Sequence, residues 1–285
     1  MQTTFAVKNY DLAATLASGQ AFRWRSIDDV WEGIVAGRWV RLHQQHDSIL
    51  AETVLAGSGW QWLLHYLQLD VDLAAVLDAF PKDAPMMAAA EACRGLRLLR
   101  QDPWECLASF ICSSNKQIVQ IQQIVELLCQ RFGEPVEVPP GRELAFAFPT
   151  IASIAEVSES DLRACKMGFR APYVLGTAQM IGRGELDLEK LRDLPLAQAR
   201  AELLKFPGVG RKIADCVLLF AYGFPTAFPV DVWVMKALRE LYFPRRRVKL
   251  KRLHHFSETH FGPHAGYAQQ YLFHYMRTRK RAATK

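Results

Sequence analysis

The sequence lacks the features that mark membrane-spanning, secreted or disulfide-stabilised proteins. Its apolar stretches all fall short of the roughly 18 residues that a membrane span requires. Residues 1–11 carry no basic segment followed by an apolar core, as a secretory signal would. Six cysteines are present, but no two are spaced as C-x-x-C, and a chain of 285 residues buries enough surface to fold without disulfides. We therefore expect reduced thiols and a protein inside the cell: in the cytoplasm or on the nucleoid of a bacterium, or in the nucleus of a eukaryote.

The charge of the chain is unevenly distributed. Hydrophobic residues make up 50% and charged residues 22% of the sequence, which excludes a disordered protein. The net charge is +6, but residues 201–285 contain 16 Lys and Arg against 5 Asp and Glu, so this part carries +11 and residues 1–200 carry −5. A basic C-terminal third suggests a polyanionic partner. A solvated surface or a basic tail gives the same pattern, so charge alone leaves both interpretations open.

Two hydrophobic patterns divide the chain. Aromatic and β-branched residues alternate with polar ones at first, which predicts strands over 20–25, 30–35, 38–43 and 48–54. Helical spacing follows at 60–69 and 73–80 and then dominates. Further helices are predicted over 104–110, 118–132, 142–148, 151–156, 159–165, 171–183, 188–193, 196–206, 211–222, 232–242, 249–261 and 265–278. We predict an α+β protein with an N-terminal antiparallel β-sheet domain over residues 1–100 and an all-α domain over residues 101–285.

The segment from residue 196 to 222 predicts a DNA-binding hairpin. A helix ending at Phe206 is followed by Pro207-Gly208-Val209-Gly210 and by a second helix. The glycines permit a tight turn whose backbone N–H groups point outward, and these groups, with the positive end of the second helix, form a site for a phosphate oxygen. Such a hairpin binds DNA without reading its bases. An ordinary helical turn with a glycine cap is the alternative.

A lysine and an aspartate with a possible catalytic role follow this hairpin in the sequence. Lys212 is the second residue of the second helix, where the helix dipole disfavours its charge and favours a nucleophilic amine. A phosphate contact is the ordinary role of such a lysine. Asp231 follows nineteen residues later, and its ordinary role is to cap a helix. An amine that attacks C1′ of a nucleotide, next to a carboxylate that stabilises positive charge on the sugar, is suited to cleaving an N-glycosidic bond.

The residues from Phe206 to Asp231 resemble those of the helix-hairpin-helix DNA glycosylases, and within that superfamily the 8-oxoguanine DNA glycosylase/AP lyase family. Other signatures of this family are matched by the segments Ser18–Trp24, Leu98–Pro103, Phe110–Asn115, Gly168–Arg170 and Ala268–Phe273. The matches keep the family order from residue 18 to 273. The helix-hairpin-helix domain and the sheet domain are then expected to hold a flipped-out base between them.

The resemblance implies a base-excision repair enzyme that acts as a monomer on double-stranded DNA containing 8-oxoguanine. Lys212 then attacks C1′, expels the base and holds the sugar as a Schiff base, and β-elimination nicks the strand. Asp231 assists the departure of the base electrostatically. The backbone of Gly208, Val209 and Gly210 contacts the DNA.

The resemblance also implies a base pocket. The carbonyl of Gly19 accepts a hydrogen bond from the N7–H group that 8-oxoguanine has and guanine lacks. Cys216 and Phe273 enclose the base, and Gln269 bonds its Watson–Crick edge. Gln269 and Phe273 are four residues apart and so share a helix face, as do Lys212 and Cys216. Taken singly, each of the four pocket residues has an ordinary structural role as its alternative.

The opposite strand is read, by the same resemblance, by residues that enter the gap left in the duplex. Asn115 and Arg170 contact the unpaired cytosine, and Phe169 forms a wedge. Two positions depart from the eukaryotic pattern: Gln120 stands where a second cytosine-reading arginine is expected, and Trp233 where a histidine is expected. The first departure predicts a relaxed preference for the opposite base, and the second leaves a phosphate contact open.

The sequence implies no cofactor and no metal. No cysteine follows Cys216, which excludes the iron–sulfur cluster of related glycosylases. The histidines at 254, 255, 260 and 264 fit no zinc spacing.

The basic run 245–252 either follows the DNA backbone, with a steep salt dependence of binding, or forms a solvated loop. A glycosylase for another damaged base and a non-catalytic DNA-binding module remain as alternative functions.

Overall fold

The computed structural model describes residues 1–54, 59–244 and 247–282, and its N-terminal part is built on an antiparallel sheet. Five strands lie in the order β1-β5-β4-β3-β2: β1 (Gln2–Ala6), β2 (Arg25–Ile27), β3 (Val30–Val35), β4 (Arg38–Gln45) and β5 (Ser48–Thr53). Helix α1 (Leu12–Ala17) lies between β1 and β2 in sequence. In the central strand Val40 lies opposite Gly33 on one side and Thr53 on the other.

Alternation of side chains explains which face of this sheet is buried. Val40 and Leu42 of β4 are fully buried, as are Ile49 and Ala51 of β5, and they form one apolar cluster with residues of α1 and of α2 (Gln61–Leu67). Residues two apart along a strand share a face. The sheet therefore packs one face against two helices and forms its own small core.

Helices make up the remainder of the chain. They are α3 (Leu73–Asp78), α4 (Ala84–Ala92), α5 (Pro103–Cys112), α6 (Ile118–Phe132), α7 (Ile151–Glu156), α8 (Glu159–Leu162), α9 (Ala171–Gly182), α10 (Leu196–Leu203), α11 (Arg211–Val217), α12 (Val232–Ala237), α13 (Leu250–His260) and α14 (Ala265–Ala282). Wider π-type turns at Arg163–Met167, Leu218–Tyr222 and Leu238–Tyr242 follow α8, α11 and α12, and 3-10 turns occur at Gly168–Arg170, Glu189–Asp193 and Gly262–His264. A second, larger apolar cluster lies among these helices.

The predicted α+β class is confirmed, and most predicted elements are present. Strands are found at three of the four predicted positions, and α6 has the predicted bounds of Ile118–Phe132. The predicted strand over 20–25 is wrong, because only Arg25 belongs to a strand. Gln20, Ala21, Phe22 and Trp24 are all buried, so this segment runs through the interior instead of lying along one face of the sheet.

The predicted helix over 142–148 is also wrong. Residues Pro135–Val136 and Ala145–Phe146 form strands β6 and β7, which pair with each other. The intervening Pro139-Pro140-Gly141 favours a turn, and the N–H of Arg142 donates to Pro139 O at 3.1 Å. Strand β1 and helices α1 and α4 were not predicted, since their apolar residues are too few or too uniform to show a period.

The boundary predicted at residue 100 stays a prediction. The sheet cluster includes Leu99, but α3 and α4 precede that residue and contribute Leu73, Val76 and Met86 to the larger helical cluster.

All six cysteines are buried free thiols. No helix in the described part of the chain is both long and apolar enough to cross a membrane.

Candidate active site

The hairpin predicted at Pro207-Gly208-Val209-Gly210 connects α10 to α11. Gly208 has a φ of +74°, and a Cβ atom there would lie 2.5 Å from Cδ2 of Tyr173, so only glycine fits this turn. Gly210 is the N-cap of α11 in an extended conformation, which leaves the first N–H groups of α11 without intrahelical partners. The turn thus offers backbone N–H groups at the positive end of a helix, as a phosphate site requires.

A buried ionic network fixes the orientation of α11. The carboxylate of Asp215 is inaccessible to solvent and lies 2.6 Å from Nε of Arg200 on α10 and 3.6 Å from Nε of Arg211. Burial raises the pKa of Asp215, and the charges of Arg200 and Arg211 oppose that rise. Arg211 also pairs with Glu258 of α13. Helix α11 is therefore tied to both α10 and α13.

Lys212 reaches across to the C-terminal end of α5. Its Nζ donates a hydrogen bond of 2.9 Å to Oγ of Ser113, and Ser113 Oγ donates one of 2.7 Å to the carbonyl of Phe110. The same Nζ lies 5.3 Å from the centre of the Phe110 ring. The half-buried amine is thus held by one hydroxyl and one aromatic face, and it keeps part of its surface open to a substrate.

Asp231 caps the next helix and faces the same place. It is the N-cap of α12, and its Oδ1 accepts a hydrogen bond of 2.8 Å from the N–H of Val234. Burial raises the pKa of Asp231, while the N–H groups of Val234 and Trp233 and the charges of Lys212 and Arg277 hold it down. The capping role and the proximity to Lys212 are therefore both present in one side chain.

Cys216 lies one turn after Lys212 on the same face of α11. Only 4% of it is exposed, and burial raises the pKa of its thiol to about 12 although the charge of Lys212 lowers it. The charge of Asp231 acts on the same thiol in the opposite direction. Lys212 and Asp231 are thus both close enough to Cys216 for their charges to act on its thiol, which stays neutral.

Helix α14 supplies the two other predicted pocket side chains. Gln269 is only 3% exposed, and among the described residues no hydrogen-bond partner is found for its buried Oε1. Phe273 follows one turn later and is partly exposed. A buried amide oxygen without a partner is costly unless a ligand donates to it, so Gln269 is well suited to contact a bound base.

The segment between α1 and β2 that contains residues 17–20 is held by three side chains. Arg277 donates to Ala17 O at 3.2 Å and Gln270 to Ser18 O at 3.2 Å, both from α14. Gln101 donates to Gln20 O at 2.7 Å. No described residue donates to the carbonyl of Gly19, the one between them. This open carbonyl is the group predicted to accept N7–H of the damaged base.

Gly19 itself is required by its surroundings. It has a φ of +79°, and a Cβ atom there would lie 2.5 Å from Cδ1 of Ile118 and 2.9 Å from Nη1 of Arg277. The positive φ favours glycine, and a Cβ atom would displace the ends of the Ile118 and Arg277 side chains. The side chain of Gln20 stiffens the same segment, because its amide donates to Thr15 O and Arg97 O and its Oε1 accepts from the N–H of Leu99.

The three residues predicted to read the opposite strand lie on two adjacent loops. Asn115 is exposed with a left-handed φ of +54°, and Phe169 is 51% exposed. Arg170 differs, since it is only 4% exposed and its guanidinium donates to the carbonyls of Ser114 and Met167. Its Cζ also lies 4.2 Å from the centre of the Phe169 ring. Arg170 thus ties the two loops together, and its predicted contact with a base requires it to exchange these partners.

Part of the basic run lies outside the described residues, namely Arg245 and Arg246. The remainder leads into α13, where Lys251 and His255 help to line a surface cavity of about 470 Å³ together with Arg211, Leu250, His254 and Glu258. Burial and the charge of Arg211 lower the pKa of His254. This cavity borders the first residue of α11, so the run ends beside the hairpin. Contact of the run with DNA stays a prediction.

Two residues of the site were missed by sequence analysis. Ser113 lies within a recognised segment but was assigned no role, and Arg277 lies four residues after Phe273 on α14. Helical spacing from Gln269 through Phe273 points to Arg277, whereas no local pattern relates Ser113 to Lys212. In the parts of the chain that the structure describes, no group of three or more His, Cys, Asp or Glu side chains is arranged to hold a metal ion.

The helical fold, the hairpin and the lysine–aspartate pair define the class of protein. Residues 108–260 match the family model described as HhH-GPD superfamily base excision DNA repair protein. Residues 3–107 match that of the 8-oxoguanine DNA glycosylase N-terminal domain. The chain therefore belongs to the 8-oxoguanine DNA glycosylase family of the helix-hairpin-helix superfamily, as its sequence predicted.

Individual relatives agree with this assignment. The N-glycosylase/DNA lyase OGG1 of Arabidopsis thaliana is 33% identical over 92% of this chain and 76% of its own length. The N-glycosylase/DNA lyase of Saccharomyces cerevisiae is 30% identical over 92% and 82%. The 8-oxoguanine glycosylase/lyase of Clostridium acetobutylicum, solved with double-stranded DNA containing cytosine opposite 8-oxoG, superposes with a TM-score of 0.91 at 32% identity over 98% of both chains.

Proposed function

We propose that this protein excises 8-oxoguanine from duplex DNA and cleaves the abasic strand, with Lys212 as the nucleophile. The relatives that span most of the chain are named N-glycosylase/DNA lyases, and this chain is likewise a bifunctional enzyme of base excision repair. The observation that carries the assignment of Lys212 is its half-buried amine on the first turn after the hairpin, held by Ser113 and in electrostatic contact with Asp231 and Cys216.

The chemistry follows from the groups that meet at this point. The Lys212 Nζ forms a bond to C1′, and the bond from C1′ to N9 of the base breaks, so the base leaves with the bonding electrons and takes up a proton. Opening of the sugar then gives an iminium bond between C1′ and Nζ. Loss of a proton from C2′ expels the 3′ phosphate by β-elimination. The carboxylate of Asp231 stabilises the positive charge that develops on the sugar.

Recognition of the lesion depends on a single donor. At N7, guanine has a lone pair that repels a carbonyl oxygen, whereas 8-oxoguanine has an N–H that donates to it. The Gly19 carbonyl is held rigidly and no described residue donates to it, so it discriminates between the two bases by their protonation at N7. A polar site that is left unpaired by the wrong substrate discriminates strongly.

The opposite base is read less strictly in this proposal. Asn115, Phe169 and Arg170 lie on the two loops that face the gap in the duplex, but Gln120 takes the place of a second arginine. Gln120 is exposed, and its Oε1 accepts a hydrogen bond of 3.1 Å from the N–H of Gln117. A side chain engaged in capping its own helix contributes less to cytosine recognition than a free guanidinium does. We therefore propose a relaxed preference for the opposite base.

We propose that the enzyme acts as a monomer. Duplex DNA is the macromolecular partner, and the hairpin at Gly208–Gly210 with the adjoining basic surface supplies its backbone contacts. Because its substrate is DNA, we propose that the protein acts inside the cell. The finer location is expected to be the cytoplasm or nucleoid of a bacterium or the nucleus of a eukaryote.

The test is borohydride trapping on a duplex with one 8-oxoguanine opposite cytosine, beside an undamaged duplex. We expect a covalent adduct with damaged DNA, and none with Lys212→Gln. Lys205→Gln is the matched control, since Lys205 is an exposed lysine paired with Glu202 near the hairpin, and it should trap as the unmodified protein does. Trapping by Lys212→Gln would reject the assignment of the nucleophile. Binding of damaged DNA without any adduct would favour a glycosylase for another base or a non-catalytic binding module.

A further inference from the structure

A third side chain extends the pocket face of helix α14. Gln269 and Phe273 are one turn apart, and Arg277 follows one turn later, so all three share one face of the helix. The guanidinium of Arg277 lies over the Phe273 ring, with Cζ 5.4 Å from its centre. This places a fixed positive charge at the edge of the pocket, beside the ring that is to stack on the base.

The same guanidinium contacts the segment that carries the Gly19 carbonyl. Nη2 donates to Ala17 O at 3.2 Å. Nη1 is buried and lies only 2.9 Å from the place that a Cβ atom of residue 19 would occupy. Arg277 therefore touches Phe273 on one side and the backbone of residues 17–19 on the other. No other described side chain makes both contacts.

The position of Arg277 also bears on the reacting groups. Its positive charge lowers the pKa of Asp231, as the charge of Lys212 does. Its described direct contacts are to the Phe273 ring and to the Ala17 carbonyl. A role in shaping the pocket is therefore separable from a role in the chemistry at C1′.

We propose that Arg277 is a positioning residue that sets lesion specificity, by holding the Gly19 carbonyl and the Phe273 ring in the geometry that receives 8-oxoguanine. This inference rests on the proposed function. A planar guanidinium offers donors in a fixed fork and stacks on aromatic rings, so it can orient both groups at once. Neither lysine nor an apolar side chain reproduces both contacts.

Two substrates separate positioning of the base from the chemistry. A preformed abasic site has no base, so its cleavage needs Lys212 but not the pocket. The analogue 8-oxo-7-deazaguanine carries C–H in place of N7–H and cannot donate to the Gly19 carbonyl. The bond between base and sugar differs in strength between the analogue and 8-oxoguanine. This difference cancels when the ratio of the two excision rates is compared between a variant and the unmodified protein.

The experiment compares Arg277→Met and Arg277→Lys with the unmodified protein under single-turnover conditions. We expect Arg277→Met to slow excision of 8-oxoguanine by roughly 10- to 100-fold, because small displacements of reacting groups are costly. Cleavage of the abasic site should change by less than about threefold, and excision of the 7-deaza analogue should fall less than that of 8-oxoguanine. Arg277→Lys keeps one donor and should recover part of the loss.

Arg279→Met is the matched control. It removes one positive charge from the same helix, and Arg279 is exposed and lies over Tyr275 rather than over the pocket. Retained abasic-site cleavage shows that a variant is folded. Equal losses on all three substrates, no loss on any, or the same losses in Arg279→Met would overturn the inference. If the unmodified protein did not excise 8-oxoguanine at all, the proposed function and not this inference would have failed.

Discussion

The proposed base pocket and the surface proposed to face the opposite strand each include loops, but these loops are held in different ways. In the pocket, side chains bond the carbonyls of Ala17, Ser18 and Gln20, and the one between them, at Gly19, is left open. On the opposite side, Asn115 and Phe169 are exposed, and Arg170 alone bonds both loops. The pocket is therefore prepared before DNA binds, whereas the other surface has to rearrange its main donor.

The difference fits the tasks of the two regions. Guanine and 8-oxoguanine differ at N7 by one proton, and a rigid acceptor is needed to detect it, because a mobile one would turn away from the wrong base at little cost. The loops on the other side carry left-handed residues at Asn115 and Lys166, with φ of +54° and +62°. A left-handed conformation at a residue other than glycine lowers the stability of the folded state by on the order of 1 kcal/mol, and such residues recur at binding sites.

The largest effect is expected from a methyl group in the pocket. Gly19→Ala places Cβ 2.5 Å from Ile118 and 2.9 Å from Arg277 at a positive φ, so the backbone at residue 19 is strained and both side chains are displaced. We expect excision of 8-oxoguanine to fall by about 100-fold, while cleavage of a preformed abasic site stays within a few-fold. Single-turnover rates on the two substrates measure this.

Gly184→Ala is the control for backbone strain. Gly184 has a similar φ of +73° after α9, but nothing lies within 4 Å of its Cβ position. It should lose about 1 kcal/mol of stability and no discrimination. If Gly19→Ala excised 8-oxoguanine normally, the pocket would be less rigid than its hydrogen bonds indicate, and the contrast between the two regions would disappear.

A smaller effect concerns the acid stability of the pocket helix. Burial and the charge of Arg277 lower the pKa of His274 to about 4 from an ordinary value of 6.5. The folded state therefore binds this proton less readily than the unfolded chain does. The contribution of neutral His274 to the free energy of unfolding is therefore complete above pH 6.5 and is lost as the pH falls from there to about 4.

Replacing the histidine removes this dependence. Allowing for its partial exposure, the unmodified protein should lose on the order of 2 kcal/mol between pH 7 and pH 4 that His274→Leu does not lose. Urea denaturation at pH 7, 5.5 and 4 measures the difference between the two proteins. If the unmodified protein and His274→Leu lost the same stability on acidification, protonation of His274 in the folded state would carry no free-energy cost.

A third change acts on the nucleophile rather than on the pocket. Ser113→Ala removes the hydroxyl that accepts a hydrogen bond from Lys212. One such bond contributes about 1 kcal/mol, or roughly fivefold in rate. Excision and abasic-site cleavage should fall together, unlike in Gly19→Ala, because both need Lys212. Ser114→Ala is the neighbouring control, and a loss on 8-oxoguanine alone would place Ser113 in the pocket instead.

Sequence analysis correctly predicted those helices and strands whose apolar residues repeat with the period of a helix or a strand. Strands β3 to β5 and the long helix α6 were predicted because their apolar residues face one core. Residues 20–25 were predicted as a strand because they alternate, yet Gln20, Ala21, Phe22 and Trp24 are all buried, and the side chain of Gln20 holds the segment. A pattern along the chain does not report how many faces of a segment are covered.

The site shows a similar division. The resemblance predicted Lys212, Asp231 and the pocket residues, each from its own short segment. It did not identify the side chains that hold them, since these contacts span 99 residues between Ser113 and Lys212 and 260 between Ala17 and Arg277. Such positioning residues depend on the tertiary structure, and no single segment of the sequence specifies them.

The smallest effect is expected on the opposite-strand side, where the protein is least prepared. Gln120→Arg restores a guanidinium next to the Asn115 loop, and we expect the preference for cytosine over the other three bases to rise by a few-fold. Because the substitution also removes the cap to the Gln117 N–H, Gln120→Ala serves as the control for lost capping. Excision rates opposite all four bases measure the preference. Equal discrimination by the unmodified protein and Gln120→Arg would mean that Asn115 and Arg170 already set the choice, and that this surface is as well prepared as the pocket.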